Sequence, residues 1–484
     1  MNNFLLRIIN HKVIIENKSM LDVDEIMGFD KRKCINEEKD VLIGWSVYEE
    51  LERKIIPNAK ESPVLLENIT KRWEKTFFSD DCGHMQISNV CSENNLIFIS
   101  KEKSFRELDV YAILPSIDIV EKRVEVKGAF TAQLKYCTIN RLYFDLEIDM
   151  QSGENHILLC TDLEFKPIWG EYLGECSWGI FGDLKLGTIM EGKNGYLLLS
   201  TLSKVQEKLS WEELKKNLLD NKISSKHSRK VYLIQNDAVI WCREIAQSYD
   251  VLYWFIMEEN SFYYVTSSSI KEYSYTGELL YSKELSIQIE FFDQLEGVYR
   301  AIIKKEIGSE RRAYGFENVF DSEYFLVKFD NARFENYSIE RKFLYPICNW
   351  LGNHNGIDYW FERLPEGGSG FKSSNSSDFL ITFDTIFSST YDFISLFVNK
   401  DVFYIVWNKS FDNQGVWRNS KILTVDLEGK IIQKIEFCKK NEFIEAIQIS
   451  QNKLYVYSVS ELPLKEPCSI YDDVYQRFVR CFNG

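Results

Sequence analysis

The sequence predicts an all-β fold built from repeated units, and three observations lead to this prediction. Short apolar runs follow one another along the 484 residues, and polar turns separate them. Two kinds of turn alternate with a period of about fifty residues, a spacing typical of repeat architectures. Only 8 prolines and an aromatic content of 14% indicate a chain that is ordered almost throughout.

The first recurring pattern is a charged turn between two apolar runs. Its clearest copy is Ile-Leu-Thr-Val-Asp-Leu-Glu-Gly-Lys-Ile-Ile at residues 422–432. Polar residues suit a tight turn and the flanking apolar residues can pack between sheets, so the pattern predicts a β-hairpin. Further copies lie at residues 50–56, 118–124, 162–168 and 274–280, with degenerate versions at residues 231–241 and 325–334.

The second recurring pattern is a strand that starts at an asparagine turn. Copies begin at Asn94, Asn140, Asn194, Asn260, Asn355, Asn399 and Asn452, and residues 296–299 form a degenerate copy. Within each period the predicted order is an apolar strand, the asparagine turn, an aromatic-rich strand, a connection, an apolar strand, the charged turn and a last strand. Each period therefore holds four antiparallel strands.

Four-stranded antiparallel units with this period are the sequence signature of a β-propeller, in which neighbouring sheets cover each other's faces. A β-sandwich or a pair of barrels is the competing prediction, but neither would repeat the same two turns in register. Residues 86–437 supply seven copies and the chain ends supply an eighth, so we predict a single eight-bladed domain over residues 1–484. Seven blades is the alternative, because residues 286–392 are the least regular. We expect residues 445–460 to pair with N-terminal strands such as residues 41–56, which would close the ring.

Residues 261–280, Ser-Phe-Tyr-Tyr-Val-Thr-Ser-Ser-Ser-Ile-Lys-Glu-Tyr-Ser-Tyr-Thr-Gly-Glu-Leu-Leu, fit the strand and turn pattern most clearly. Here, and more weakly over most of the chain, the sequence resembles propellers of the WD-repeat and NHL-repeat kind. The Gly-His and Trp-Asp pairs that mark each WD repeat do not recur. The resemblance therefore implies the fold alone, and no functional residues carry over.

The long connections are predicted to gather on one face of the propeller. Successive antiparallel strands reverse direction, so links between blades and connections between second and third strands emerge opposite the charged turns. The longest of these are residues 204–230, 365–377 and 408–420, together with an inter-blade link at residues 58–84. A capping-box pattern that begins at Ser210 predicts a short helical insertion within residues 204–230.

Charge and cysteine content limit the possible partners and the compartment. The net charge of -15 disfavours nucleic-acid binding, which depends on Lys and Arg, but permits a basic protein partner. The 11 cysteines are scattered singly without a C-x-x-C pair, and the first residues lack the apolar core of a secretory signal. The longest apolar runs are far shorter than the roughly 20 residues of a membrane helix. We therefore expect a cytoplasmic protein that does not bind a membrane.

No stretch carries a specific catalytic or metal-binding signature, so we predict no cofactor, no metal ligands and no catalytic residues. Residues 365–373 superficially resemble a phosphate-binding loop, but Phe371 interrupts the required Gly-Lys-Ser end and a flexible loop is favoured. Residues 80–84 bring two carboxylates, a thiol and an imidazole together, which could hold a metal. None of the other four of the five histidines lies in a ligand pattern.

The leading hypothesis is a non-enzymatic propeller that binds another protein through the face with the long connections. Trp and Arg side chains dominate the energetics of protein interfaces. The candidate contact residues are Trp178, Trp211, Arg311, Arg312, Phe371, Lys372, Trp417 and Arg418. An immunity-type inhibitor of a basic toxin is one concrete version. The alternative is a metal-dependent propeller hydrolase or lactonase whose site lies in the central channel.

Overall fold

The computed structural model describes most of the chain, in the following ranges. They are residues 2–27, 41–49, 64–67, 71–78, 85–91, 96–104, 106–114, 119–150, 153–174, 189–191, 195–204, 227–248, 253–295, 298–306, 322–364, 368–383, 396–399, 402–409, 418–437, 442–450, 453–461 and 475–483.

The described residues form β-strands almost throughout, with one short helix. The N-terminal elements are β1 (Asn2–Ile9), β2 (Lys12–Lys18), α1 (Val23–Met27), β3 (Val41–Glu49), β4 (Val64–Glu67) and β5 (Lys71–Phe78). The next strands are β6 (Met85–Cys91), β7 (Leu96–Ser104), β8 (Glu107–Leu114), β9 (Ile119–Lys127), β10 (Thr131–Cys137), β11 (Leu142–Met150), β12 (Gly153–Thr161) and β13 (Pro167–Gly174).

The middle of the chain continues in the same way. Its strands are β14 (Ile189–Glu191), β15 (Leu197–Lys204), β16 (His227–Gln235), β17 (Ala238–Ser248), β18 (Tyr253–Met257), β19 (Ser261–Thr266), β20 (Ser269–Ser274), β21 (Leu279–Glu284), β22 (Gln288–Leu295), β23 (Val298–Glu306), β24 (Ser322–Phe329) and β25 (Tyr337–Lys342). The last strands are β26 (Ile347–His354), β27 (Ile357–Arg363), β28 (Ser369–Ser373), β29 (Ile381–Phe383), β30 (Leu396–Asn399), β31 (Val402–Lys409), β32 (Arg418–Asp426), β33 (Ile431–Phe437), β34 (Glu442–Ser450), β35 (Lys453–Glu461) and β36 (Tyr475–Asn483).

These strands form seven antiparallel sheets, numbered here in chain order. Sheet 1 has eleven strands in the order β10-β11-β12-β13-β2-β1-β3-β9-β8-β7-β6, and its end strands β10 and β6 approach each other. Sheets 2 to 5 are the four-stranded meanders β14 to β17, β18 to β21, β22 to β25 and β26 to β29. Sheet 6 consists of β30 to β33 with β4 added at the edge, and sheet 7 consists of β34 to β36 with β5.

Successive sheets stack face to face, so that one strand contributes to two different cores. In β19 the side chains of Phe262 and Tyr264 pack with sheet 2, whereas Tyr263 and Val265 pack with sheet 4. Side chains alternate between the two faces of a strand, so both faces must be apolar when both are covered. The same relation links sheets 1 and 2, 4 and 5, 5 and 6, and 6 and 7. A series of four-stranded meanders with both faces covered by their neighbours defines a β-propeller, as the sequence predicts.

The N-terminal strands lie along the outside of this arrangement. β4 pairs with the last strand of sheet 6, and β5 pairs with the C-terminal strand β36 in sheet 7. β3 pairs with β9 and β2 pairs with β13, so the hairpin β1–β2 and β3 bridge the two halves of sheet 1. The N-terminal segment thus covers outer edges that would otherwise expose unpaired backbone groups.

Two predicted boundaries are corrected by this arrangement. The N-terminal partner of the C-terminal sheet is Lys71–Phe78, whereas Val41–Glu49 lies in sheet 1 instead. Residues 58–84, predicted as a long inter-blade connection, contain β4 and β5, which pair at the edges of sheets 6 and 7. The helical insertion predicted at residues 204–230 falls mainly on residues 205–226, which lie outside the described part of the chain.

Each meander has two distinct ends, named here the turn end and the loop end. The turn end carries the turns between first and second strands and between third and fourth strands. The loop end carries the connections between second and third strands and the links to the next sheet. This distinction follows from the antiparallel order of the strands in every meander.

The charged turns at the turn end share one hydrogen-bonding pattern. In the turn that begins at Asp426, Oδ1 accepts a hydrogen bond from the backbone N–H of Lys430 at 2.7 Å, and Asp162 and Lys166 repeat this at 2.8 Å. The fourth residue has a left-handed backbone, and Gly429 has a φ of 86° there. The aspartate and glycine of the repeat are therefore explained by turn geometry.

A β-bulge follows the charged turn in the outermost strand of most meanders. One residue of the outer strand is skipped in the pairing with its neighbour, and the skipped residues are Arg72, Glu121, Ile168, Ile240, Leu280, Glu340 and Ile432. A bulge bends its strand and increases the local twist. The recurring hairpin is thus a turn and a bulge together.

We predict that Gly429→Ala destabilises the protein more than Gly356→Ala does. Both glycines have a positive φ, which costs an alanine about 1–2 kcal/mol. A Cβ at Gly429 would also lie 2.4 Å from Leu380 Cβ of the adjacent sheet, whereas a Cβ at Gly356 meets nothing within 4 Å. Overpacking adds roughly 1–3 kcal/mol to the cost at Gly429. Denaturant unfolding of the two variants measures the difference, and equal losses would contradict the close approach of the sheets.

Candidate functional site at the loop end

Among the connections within and between the meanders, the longest join strands at the loop end. Residues 175–188, 205–226, 307–321, 384–395 and 462–474 all connect strands at this end. At the turn end of the meanders, the longest intervals between described strands are residues 330–336 and 374–380. Of the four predicted long connections, residues 204–230 and 408–420 include such intervals, whereas residues 58–84 and 365–377 contain the strands β4, β5 and β28. Loops on a rigid scaffold are the usual place for binding residues, so the candidate site lies at the loop end.

Five of the eight predicted contact residues lie outside the described part of the chain, and these are Trp178, Trp211, Arg311, Arg312 and Trp417. Their stretches connect strands at the loop end. Arg418 is the first residue of β32 and also lies at the loop end. A contact role for these six residues remains a prediction.

The exposure predicted for Phe371 is wrong. This residue lies in the middle of β28 and is fully buried. It packs against Tyr359 of the same sheet and Phe403 of sheet 6. On either side of residues 365–367, which lie outside the described ranges, the Leu364 N–H donates a hydrogen bond to the Gly368 carbonyl at 3.0 Å. Residues 369–373 of the stretch predicted as a flexible loop form β28. Alternation along the strand then directs Phe371 into the core between sheets 5 and 6.

Lys372, on the opposite face of the same strand, belongs to a largely buried polar cluster. Its Nζ lies 3.9 Å from Glu362 Oε2 and 5.0 Å from the Phe379 ring centroid, and its side chain is 14% exposed. Trp360 Nε1 donates a hydrogen bond to Glu362 Oε1 at 2.9 Å. Burial raises the pKa of Glu362, although Trp360, Lys372 and a nearby arginine oppose the rise. In the free protein the Lys372 charge is thus directed toward an internal carboxylate.

A second polar cluster lies near the loop end of β10, β11 and β12. His156 Nδ1 lies 2.9 Å from Asp145 Oδ1, and both residues are buried. Lys135 Nζ lies 4.0 Å from the other carboxylate oxygen and donates a hydrogen bond to Gln133 at 2.6 Å. Alternation places Asp145 and Glu147 on the sheet face that packs toward sheet 2. The cluster therefore sits between two sheets, where strands approach the long connections.

The His156 and Asp145 pair has the geometry of a positioned acid–base group. Burial lowers the pKa of His156, but the hydrogen bond and charge of Asp145, with Glu147, outweigh burial and leave that pKa raised. The pKa of Lys135 is lowered by burial, which Asp145 and Glu147 partly offset. Among the described residues, Asp145 is the only hydrogen-bond partner of the His156 ring. An imidazole held at Nδ1 by a carboxylate has its Nε2 available for proton transfer.

The C-terminal sheet contains a third, completely buried cluster. Arg480 Nη1 lies 2.5 Å from Glu442 Oε1 and 2.6 Å from Ser458 Oγ, and none of these three side chains is exposed. The Arg480 guanidinium also lies over the Phe437 ring at 4.7 Å. A buried ion pair is costly to break, because the remaining charge would be uncompensated. This cluster joins all three C-terminal strands near the loop end.

The sequence analysis missed all three clusters, although part of the signal was present. In β11 the sequence Phe-Asp-Leu-Glu at residues 144–147 alternates apolar and acidic residues within a sheet that is covered on both faces. Two acids on a covered face indicate buried charge that needs a partner. The partners His156 and Lys135 lie on neighbouring strands, so only the strand pairing brings them together.

The described residues contain no group of three or more His, Cys, Asp or Glu side chains that could hold a metal ion. The metal site of the alternative hydrolase hypothesis therefore remains a prediction. Residues 80–84, considered for metal binding, lie outside the described ranges. Within those ranges, no helix is long and apolar enough to cross a membrane.

One family model, described as LonB-like, AAA domain, matches residues 176–268. This is less than half of the chain and does not assign it to that family. The matched stretch has Gly187, Gly192 and Lys193 at the spacing of a phosphate-binding loop, but Asn194 stands where Ser or Thr is required. That loop opens a helix, whereas β14 and β15 here pair as antiparallel strands. No curated protein matches the chain in sequence.

Several solved structures are similar to this chain at low identity. BamB from Moraxella catarrhalis is 10% identical with a TM-score of 0.38, and the similarity covers 85% of this chain and 97% of BamB. The β-propeller domain of the Trilobed protease from Pyrococcus furiosus is 11% identical with a TM-score of 0.36, covering 72% and 95%. An acylaminoacyl peptidase from Pyrococcus horikoshii is 10% identical with a TM-score of 0.39, covering 79% and 58%. At such scores these likenesses transfer no activity to the chain.

We predict that His156→Gln removes a pH-dependent part of the stability. The raised pKa means that folding favours the protonated imidazole. This stabilisation is complete below the pKa of an unfolded histidine, about 6.5, and is lost as pH rises through the higher folded-state pKa. The melting temperature of the wild type should therefore exceed that of His156→Gln most at low pH, with a smaller gap at alkaline pH.

Asp145→Asn provides the second measurement, because it removes the charge that raises the pKa of His156 but keeps a hydrogen-bond acceptor. It should lose the same pH-dependent component. A gap between wild type and His156→Gln that stays constant from pH 5 to pH 9 would contradict the assigned pairing.

Proposed function

We propose that this β-propeller is a non-enzymatic scaffold that binds another protein through its loop end. The observation that carries the proposal is that the longest connections within and between the meanders join strands at that end. Stacked sheets provide a rigid base, and long connections provide adaptable contact residues. The predicted contact residues Trp178, Trp211, Arg311, Arg312, Trp417 and Arg418 belong to stretches at this end. Lys372 would contact the partner only if its ammonium group left the Glu362 carboxylate for a carboxylate of the partner.

We further propose that the partner is basic and that binding occurs in the cytoplasm. The net charge of -15 attracts a cationic protein over a distance and accelerates association at low salt. Inhibition of a basic toxin by an immunity-type protein is one such pairing. The single, unpaired pattern of cysteines supports a reducing compartment.

We also propose eight blades, in which sheet 1 accounts for two. Its strands β6 to β9 and β10 to β13 are each four consecutive antiparallel strands. The N-terminal strands would join these two blades at their outer edges while the inner strands β6 and β10 lie side by side. Sheets 2 to 7 would supply the remaining six.

Image averages of the purified protein viewed along the ring axis test the blade number. We expect eight radial densities, of which two are joined at the rim. Seven evenly separated densities would contradict the proposal, because the two halves of sheet 1 would then form one blade.

Partner binding is tested with paired variants at the two ends of the propeller. The full-length chain is first used to isolate a partner by cross-linking and co-purification. Trp417→Ala with Arg418→Glu should then weaken binding of that partner roughly tenfold or more, since Trp and Arg truncations dominate interface energetics. Affinity should also fall as salt concentration rises, because a basic partner is attracted electrostatically.

The matched control is Leu163→Ala with Lys166→Glu, which makes the same kinds of change at the turn end, where both residues are exposed. This variant should bind as the wild type does. An effect of the control that equals the effect of the loop-end variant would place binding elsewhere.

A further inference from the structure

Side chains of one sheet donate hydrogen bonds to a turn of the next sheet along the chain. In β17 of sheet 2, Trp241 Nε1 donates a hydrogen bond to the Tyr275 carbonyl at 2.8 Å. Arg243 Nη1 donates another to the Gly277 carbonyl. Both acceptors lie in the turn between β20 and β21 of sheet 3. We call such a donor and the turn that it binds a turn latch.

Turn latches recur along the chain and all run in the same direction. The donor belongs to the earlier sheet, or to the first half of sheet 1, and the acceptor is a carbonyl in the turn between the third and fourth strands that follow. The further pairs are Trp45 Nε1 with Phe165 O at 2.8 Å, Lys122 Nζ with Leu163 O at 3.5 Å, Lys283 Nζ with Phe334 O at 3.2 Å, Arg341 Nη2 with Ser374 O at 3.4 Å, and Tyr359 OH with Leu427 O at 3.0 Å. At the turn of sheet 2, Arg141 binds the Asp237 carboxylate instead, at 2.6 Å.

The bulge of the outer strand marks where most of these donors lie. Residues that follow a bulge by one and by three positions share a face of the strand, because side chains alternate. Donors in these positions are Lys122 after Glu121, Trp241 and Arg243 after Ile240, Lys283 after Leu280, and Arg341 after Glu340. Trp169 follows Ile168 in the same way, but its buried Nε1 has no hydrogen-bond partner among the described residues. A tryptophan or a cation just after the bulge is thus typical of a turn latch.

β5, the outer strand of sheet 7, has a tryptophan and a cation at the same two positions. Its bulged residue is Arg72, and Trp73 and Lys75 follow by one and three residues. Trp73 stands opposite Cys481 of β36, and the next residue, Phe482, packs in the core shared with sheet 6. Alternation therefore assigns the positions of Trp73 and Lys75 to the face of sheet 7 that is turned away from sheet 6.

This face of sheet 7 is covered by another part of the protein. Tyr455 in β35 lies between Leu454 and Val456, which both pack in the core shared with sheet 6. Tyr455 therefore belongs to the opposite face, and it is only 1% exposed. In the eight-blade arrangement proposed above, the sheet beyond this face is the first half of sheet 1. Its third and fourth strands, β8 and β9, are joined between Leu114 and Ile119.

We propose that Trp73 and Lys75 form the turn latch that closes the propeller. The indole N–H and the ammonium group donate hydrogen bonds to backbone carbonyls of the connection between β8 and β9, as Trp241 and Arg243 do to the turn of sheet 3. The N-terminal segment then has two roles, because β5 both completes sheet 7 and holds it against sheet 1. The proposal rests on the eight-blade arrangement for the identity of the neighbouring sheet.

Amide hydrogen exchange of the full-length chain, followed by mass spectrometry, tests the closure. Trp73→Phe removes the N–H donor but keeps an aromatic ring. It should accelerate exchange in residues 110–120 about fivefold, the factor that corresponds to one lost hydrogen bond. Lys75→Met removes the second donor and should act on the same residues. Trp241→Phe makes the matched change in a turn latch that the structure describes, and it should accelerate exchange in residues 274–279.

Lys71→Met is the control on β5, because Lys71 stands opposite Phe482 and so belongs to the face toward sheet 6. It should leave exchange in residues 110–120 unchanged. The proposal is overturned if Trp73→Phe and Lys75→Met leave that exchange unchanged, whether or not Trp241→Phe has its expected effect, or if Lys71→Met acts as Lys75→Met does. The blade number is judged separately from the image averages. Eight radial densities together with unchanged exchange in residues 110–120 would overturn the closing latch and leave the blade number standing.

Discussion

The structure depends on the burial of both faces of each sheet. In an antiparallel sheet with one solvent-exposed face, apolar and polar residues alternate along each strand. Here both faces are covered, so neighbouring residues of one strand pack into two different cores. In β31, Phe403 and Ile405 pack toward sheet 5, whereas Tyr404 and Val406 pack toward sheet 7. Loss of an inner sheet of the series would thus expose one face of each of its two neighbours. Large aromatic side chains suit this role because each buries a large area between sheets.

Burial of both faces leaves the outermost strands as the places where the chain meets solvent. Edge strands invite unwanted pairing, and proteins blunt them with bulges, charges or covering segments. This chain uses the first device in nearly every outer strand and the third at sheets 1, 6 and 7. Ile168, Ile240, Leu280 and Ile432 occupy bulges and remain partly exposed, because a bulged residue is not held on either covered face.

The repeat could be predicted from the sequence because turn chemistry is local. Asp162 and Asp426 each accept the hydrogen bond that closes their own turn, and Gly429 has the left-handed backbone that its turn requires. All residues that determine the turn are therefore close together in the sequence. The path of the N-terminal segment could not be predicted, since β4 and β5 pair with strands more than three hundred residues away. Phe371 was misjudged for a related reason, because glycine and serine neighbours indicate a loop until a partner strand is known.

The polar clusters near the loop end restrict the structure in a way that apolar contacts do not. Burial of a charge costs several kcal/mol, and only well-placed partners offset this cost. The energy of such a cluster is therefore sensitive to small shifts of the strands. Glu442 and Arg480 fix three strands of sheet 7 against one another, and Asp145 with His156 fixes two strands of sheet 1. Directional bonds near the loop end hold the strand ends in fixed relative positions. The long connections therefore start and end at fixed points.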